Sequence, residues 1–220
     1  MIVAIDGPAG AGKSTVARAV AEALGVGYLD TGAMYRALTL VALREGVPID
    51  DGAALAELAR AHPVSLENGP GGVRVMMRGD DVTMAIREAD VTAAVSEVAA
   101  HPEVRHEMVA RQRQIMGHGD WVCDGRDIGS VVFPEAEVKV FLTASVDERA
   151  RRRHAELTAR GERVDLRVIR DDVARRDHAD SSRAASPLVV ADGAVVVDTT
   201  GMAIHEVVGQ IASMAREIPA

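Results

Sequence analysis

Gly7-Pro8-Ala9-Gly10-Ala11-Gly12-Lys13-Ser14 fills every fixed position of GxxxxGKS, and Thr15 follows it. Glycines in that pattern let the backbone wrap closely around phosphate oxygens, while successive amide hydrogens and a helix N-terminus supply positive potential. The lysine then reaches the β and γ phosphates of a nucleotide, and the serine hydroxyl takes a place on Mg²⁺ beside them. Such a loop must lie between a strand and a helix. The flanks fit: Ile2-Val3-Ala4-Ile5 is a short apolar run leading into it, and an alanine-rich helical pattern follows from Lys13 to Leu24, stopped by Gly25.

The elements that position this loop alternate along the chain. A second short strand from Gly27 to Leu29 ends at Asp30 and Thr31, where a helix from about Ala33 to Arg44 begins. Another helix is expected over 50–61. Val64 to Met77, interrupted by Asn68-Gly69-Pro70-Gly71-Gly72, reads as two strands and a turn. Helical periodicity returns over 86–100 and 102–116, and Trp121 to Asp124 and Val138 to Leu142 read as a third and a fourth strand. Helices over 147–160 and 165–176, separated by a turn at Gly161, precede a fifth strand over 194–198 and a closing helix over 203–216. Short apolar strands alternating with longer helices predict an α/β fold with a five-stranded parallel sheet flanked by helices. No internal repeat or low-complexity tail interrupts it, and 220 residues suit one domain, 1–220.

Composition removes several classes of function. No apolar run approaches the roughly 20 residues needed to cross a bilayer, and the N-terminus has no basic, apolar leader. The single Cys123 makes no internal disulfide and suits a reducing compartment, so a cytoplasmic protein without a membrane partner is expected. A net charge of -8 argues against a stable nucleic-acid partner. The charge is uneven, however: residues 149–183 hold eleven arginines against seven acids, a segment suited to anions. Only two of the twenty-five basic residues are lysines, Lys13 and Lys139. The guanine-reading Asn-Lys-x-Asp element of GTPases is missing, since the only asparagine, Asn68, precedes glycine. Nor is there an LSGGQ signature of transporter ATPases. A compact phosphotransferase remains.

At this point the chain resembles the bacterial cytidylate kinases, within the nucleoside monophosphate kinases. Beyond the phosphate loop, the resemblance rests on Leu29-Asp30-Thr31-Gly32-Ala33-Met34-Tyr35-Arg36 and on Ser96-Glu97-Val98-Ala99 followed by Arg105. Asp124-Gly125-Arg126-Asp127-Ile128-Gly129 with Val131-Val132-Phe133-Pro134, and Arg176-Asp177 through Asp180 to Arg183, complete it. The resemblance implies transfer of the ATP γ-phosphate to CMP or dCMP, with Mg²⁺, on a monomer. It further implies an acceptor-side insertion over about 62–93 and an arginine-rich lid over about 149–176.

It also implies roles for individual residues. The loop from Gly7 through Thr15 would bind ATP, with Arg153 of the lid, and Ser14 would meet the metal. Lys13, Arg36, Arg126 and Arg183 would be catalytic, the arginines clamping the acceptor phosphate. Arginine suits that task because its planar fork binds two oxygens at once. No general base is needed, because the second ionisation of a phosphate monoester lies near pH 6 and the acceptor is already an oxyanion. Cytosine offers one donor and two acceptors along its pairing edge. Asp127 would accept from its amino group while Ser96 and Arg105 donate. Thr31 would also touch the acceptor, and Arg176 and Asp180 would lie near the sugar hydroxyls.

Some readings stay open at the level of sequence. Arg149, Arg152, Arg153, Arg160 and Arg163 either close onto ATP phosphates or pair with Glu156, Glu162, Asp165, Asp171 or Asp172 on the surface. Asp124 either holds magnesium-bound waters or caps a helix or turn. Thr31 stands where many relatives have serine, keeping the hydroxyl, and His178 and Ala179 occupy a stretch where relatives carry more charge. Two rival functions are a kinase of another small acceptor, such as shikimate or a different nucleoside monophosphate, and a nucleotide-binding regulatory module without turnover.

Overall fold

The computed structural model describes residues 1–69 and 72–218. Its five-stranded sheet has the order β2-β6-β1-β7-β8, built from β1 (Ile2–Asp6), β2 (Gly27–Asp30), β6 (Trp121–Gly125), β7 (Val138–Thr143) and β8 (Val195–Asp198). β1 is central and buried at all five positions, paired in parallel with β6 on one side and β7 on the other. β7 in turn pairs in parallel with β8. The five-stranded parallel sheet expected from the sequence is therefore observed. With both faces covered, apolar residues fill β1 without alternation.

By contacts the chain divides into two compact units, Met1–Tyr28 with Gly119–Ala220, and Leu29–His118. In the first, α1 (Lys13–Leu24) leaves the phosphate loop, and α8 (Ile204–Arg216) packs along it. α6 (Val146–Ala159) and α7 (Leu166–Ser182) form a helical pair around Ala150, Ile169 and Val173. Cys123 is fully buried in β6, as a small apolar side chain would be. Among the described residues no helix is long and apolar enough to cross a membrane.

The second unit holds α2 (Thr31–Glu45), α3 (Gly52–Ala61), α4 (Ala89–Val98) and α5 (Pro102–Met116). A small antiparallel sheet of β3 (Ser65–Gly69), β4 (Gly72–Met77) and β5 (Asp80–Asp81) joins them. The two expected strands are present, and β5 is an addition; Pro70-Gly71 of the expected turn lies outside the described residues. α2 starts at Thr31, earlier than expected, because the Asp30 carboxylate caps it by accepting from the Ala33 amide at 2.9 Å.

Three further boundaries depart from the sequence expectation. The helix expected over 86–100 is a 3₁₀ turn, Ala85–Arg87, followed by α4, with Glu88 extended between them. The buried Ile86 and Val91 are five residues apart, a spacing that one continuous helical stripe does not give. The helix expected to end at Arg176 continues to Ser182, its last turns directed inward by charged side chains rather than apolar ones. Finally, Ile128–Val132 forms a π-helical turn. The Asp127 carbonyl accepts from both Val131 and Val132 amides there, at 2.9 and 3.0 Å.

Candidate active site

The phosphate loop runs from the end of β1 to the start of α1. Gly7 is obligatory for packing: a Cβ there would stand 2.0 Å from the Leu142 carbonyl oxygen of β7. Gly10 and Gly12 have φ of 77° and 89°, which L side chains rarely adopt. Pro8, Ala9 and Ala11 are buried, whereas Gly10 and Thr15 face solvent. Lys13 is buried and turns back over the loop, its Nζ donating to the Pro8 carbonyl at 2.7 Å. Burial, and next the charge of Arg126, lower its pKa to about 7. An ammonium so poorly solvated is held ready for an anion.

Asp124, the penultimate residue of β6, accepts two hydroxyl hydrogen bonds at 2.8 Å, from Ser14 Oγ and from Tyr28 OH. It caps no turn through these contacts; it orients the serine. Asp6, the last residue of β1, is also buried. One of its carboxylate oxygens accepts from the Ile128 amide and the other from the Gly129 amide, each at 2.8 Å. Burial raises its pKa to about 6 against the pull of those two bonds.

Arg126, Asp127, Arg176, Asp180 and Arg183 come together although the sequence separates them by some fifty residues. Arg126 Nε donates to Asp180 Oδ2 at 2.7 Å. Arg183 stands 4.0 Å from both Asp127 and Asp180, and its Nε donates to the Ser186 carbonyl. Arg176 Nε is buried and has no hydrogen-bond partner among the described residues. Burial, with Arg126 beside it, lowers the Arg176 pKa. Burial pushes Asp180 up, but Arg126, then Arg183 and Arg176, outweigh it and hold the carboxyl below its ordinary value. Three guanidinium groups thus share two carboxylates. That excess of forked cations fits a phosphate or a nucleotide's polar edge.

The second unit gathers the other expected residues. Arg36 on α2 reaches the Thr92 hydroxyl of α4 at 3.0 Å and the Ile86 carbonyl at 3.4 Å. Arg105 on α5 is buried, donates to the Ala99 carbonyl at 3.0 Å, and lies over the Tyr35 ring with its Cζ 5.3 Å from the centroid. Thr31 is buried at the start of α2, and Ser96 is half-buried on α4.

The arginine-rich segment divides in a way its spacing did not show. Arg149 is buried and directed inward, donating to the carbonyls of Ala144 at 2.9 Å and Ala9 at 3.0 Å and pairing with Asp177 at 2.6 Å. Arg152 donates to the Ala11 carbonyl at 3.4 Å, to both oxygens of Thr199, and to Glu148. These two arginines brace the phosphate loop from behind. Arg153 is half-buried and pairs with Glu156 at 3.0 Å, while Arg160 and Arg163 face solvent. His178 is exposed on α7.

Sequence reasoning missed Asp6, Tyr28 and the inward role of Arg149. Only Asp6 carried a signal: an acid closing an otherwise apolar strand immediately before the phosphate loop.

A family model described as cytidylate kinase matches residues 3–217. The chain belongs to the cytidylate kinase family. A cytidylate kinase of Geobacillus sp. (strain WCH70) is 53% identical over 215 residues, spanning 98% of this chain and 96% of that one. One of Geobacillus kaustophilus (strain HTA426) is 55% identical over 215 residues with the same coverage. Among solved structures, an uncharacterized protein from Eubacterium ventriosum ATCC 27560 aligns with a TM-score of 0.53 at 10% identity over 99% of each chain, a likeness of fold alone. Membership in the cytidylate kinase family makes the chain an enzyme, a nucleoside monophosphate kinase that phosphorylates CMP or dCMP with ATP as donor.

Proposed function

We propose that this cytidylate kinase works by in-line transfer, its own residues binding and neutralising rather than abstracting a proton. An oxygen of the acceptor phosphate forms a bond to the γ-phosphorus of ATP as the bond to the β,γ-bridging oxygen breaks, giving the nucleoside diphosphate and ADP. The loop Gly7 to Thr15 holds the ATP phosphates, and Lys13 leaves the Pro8 carbonyl for oxygens of the β and γ phosphates on either side of the breaking bond. Arg126 and Arg183 bind the acceptor phosphate, and Asp127 accepts from the cytosine amino group. Arg176 and Asp180 meet the sugar. In the second unit, Arg36 serves the acceptor phosphate, Ser96 and Arg105 donate to the base, and Thr31 contacts the same nucleotide.

The observation that carries this reading is the gathering of Arg126, Asp127, Arg176, Asp180 and Arg183 in the unit that holds the phosphate loop. Mg²⁺ fits the donors present. The Ser14 hydroxyl and the Asp124 carboxylate offer hard oxygens 2.8 Å apart. No group of three or more His, Cys, Asp or Glu residues among the described residues forms a dedicated cage. Magnesium is commonly held by one or two protein oxygens together with substrate phosphates. When bound it would neutralise charge on the phosphates.

The segment over about 149–176 is the lid, with Arg153 its cation on ATP while Arg149 and Arg152 at its start stay on the phosphate loop, and about 62–93 is the acceptor-side insertion. The enzyme acts as a cytoplasmic monomer without a nucleic-acid partner. Acceptor screening with MgATP tests the assignment: CMP and dCMP should be turned over far faster than UMP, AMP or shikimate. Equal turnover of UMP or AMP would overturn the cytosine assignment, and no turnover of any acceptor would favour a binding module.

A further inference from the structure

Asp6 is a buried carboxylate to which the reaction above gives no task. It closes β1 and directly precedes Gly7, so its backbone is fixed by the centre of the sheet. Its two oxygens accept from the successive amides of Ile128 and Gly129, both at 2.8 Å. These amides open the π-helical turn Ile128–Val132, and the residue just before that turn is Asp127. π-helical turns are rare and occur mostly at functional sites, because one extra residue per turn re-aims the side chains around it. Here the turn has an evident external support. The Asp127 backbone, at φ -146° and ψ 24°, is neither helical nor extended, and both carbonyl contacts from Val131 and Val132 converge on it.

We infer that Asp6 is a positioning residue for the acceptor: by holding the Ile128 and Gly129 amides it fixes the backbone that aims Arg126 and Asp127. The inference rests on the proposed roles of those two residues and adds the group that sets their geometry. A charged carboxylate bonded to two amides is a stiff clamp, since hydrogen bonds to an ionised acceptor are shorter and stronger than neutral ones. The charges facing Asp6 are Asp127, across the turn, and Lys13, from the start of α1. Cys123 of β6 also feels it. Asp6 therefore ties the turn carrying the proposed base reader to the fixed central strand.

Asp6→Asn tests this at nearly constant shape. An asparagine presents one oxygen and one NH₂ group, so one of the two amides would face a donor instead of an acceptor. The expected result is a rise of about tenfold in the KM for CMP and a fall of about tenfold in the CMP-to-UMP ratio of kcat/KM. The KM for ATP should stay within about twofold, because the loop's own glycines and Lys13 are untouched. A parallel rise in both KM values, or a lowered Tm with unchanged CMP-to-UMP ratio, would make Asp6 merely structural and overturn the inference. If the variant does not fold, hydrogen exchange in the wild type decides: the Ile128 and Gly129 amides should exchange as slowly as the β1 amides. Exchange at the rate of exposed loops would overturn it. Asp127→Ala separates the two levels of the reading. If it leaves the ratio unchanged, the assignment of Asp127 fails; if it lowers the ratio and Asp6→Asn does not, only the role of Asp6 fails.

Discussion

Arg149→Met separates a brace of the phosphate loop from a ligand of ATP. The guanidinium meets two carbonyls, those of Ala9 and Ala144, and the Asp177 carboxylate, with its side chain only 5% exposed. Methionine keeps much of the stem's packing and removes every one of these contacts. Breaking a buried pair by deleting one partner costs about 3–5 kcal/mol. Asp177 is 23% exposed, so water partly screens the charge left behind and the lower end applies. The abandoned carbonyls add about 1 kcal/mol each where water does not replace the donor.

A loss of roughly 3–5 kcal/mol is expected in the nucleotide-free enzyme, the upper end where water reaches neither carbonyl. In a chain of this size it corresponds to a Tm drop of about 10 °C. Denaturant unfolding without ATP measures it, and a double-mutant cycle with Asp177→Asn should return a coupling of at least about 1 kcal/mol. The KM for ATP should rise as well, because Ala9 belongs to the loop. An arginine reserved for ATP phosphates would behave differently, costing activity and no stability. Unfolding within about 0.5 kcal/mol of the wild type would therefore refute the brace.

Lys13→Ala should lower kcat by about 10²–10³-fold or more while the Tm stays level or rises, since a poorly solvated cation is removed; steady-state kinetics and thermal unfolding check both. Asp6 has a pKa of about 6 in the folded chain against an ordinary 3.8. The folded state therefore binds more protons between those values, and this group withdraws stability as pH rises from about 4 to 6. Asp6→Asn does not titrate there, so its stability relative to the wild type should climb by of order 3 kcal/mol across the window, read by urea unfolding at a series of pH values. Gly27→Ala puts a Cβ 2.5 Å from the Trp121 ring; overpacking of this kind should cost about 1–3 kcal/mol, visible as a lower urea midpoint.

Local signals made much of this fold legible. Gly25 adopts φ 69° and ends α1 at Leu24, and Pro102 opens α5, which is why both helices follow from sequence with their observed ends. The phosphate loop is equally local, eight residues between a strand and a helix. What stayed hidden depends on pairs remote in the chain. Asp6 meets Ile128 across 122 positions, and Tyr28 meets Asp124 across 96. Helical spacing places Arg149, Arg152 and Arg153 near one another but is silent on direction. The difference between bracing a carbonyl and waiting for a phosphate depends on Ala9, Ala11 and Thr199, which no periodicity connects to that helix.

Direction also accounts for the two lysines in a chain that otherwise uses arginine. Lys139 donates to the carbonyls of Pro134 at 2.6 Å and Asp192 at 2.9 Å, and its stem lies where a Cβ on Gly129 would be only 3.1 Å away. One compact ammonium bridges two loops in the space beside the π-helical turn. Lys13 needs compactness for another reason. It is enclosed next to Arg126 and donates to the Pro8 carbonyl of its own loop. A guanidinium there would keep its full charge in poor solvent, whereas the ammonium of Lys13, with its pKa at about 7, sheds part of that cost until phosphate oxygens arrive. Arginine serves on carboxylates, on the open surface and, as in Arg149 and Arg152, where one fork can span several oxygens at once. Lysine remains where a single point of charge must fit among backbone oxygens.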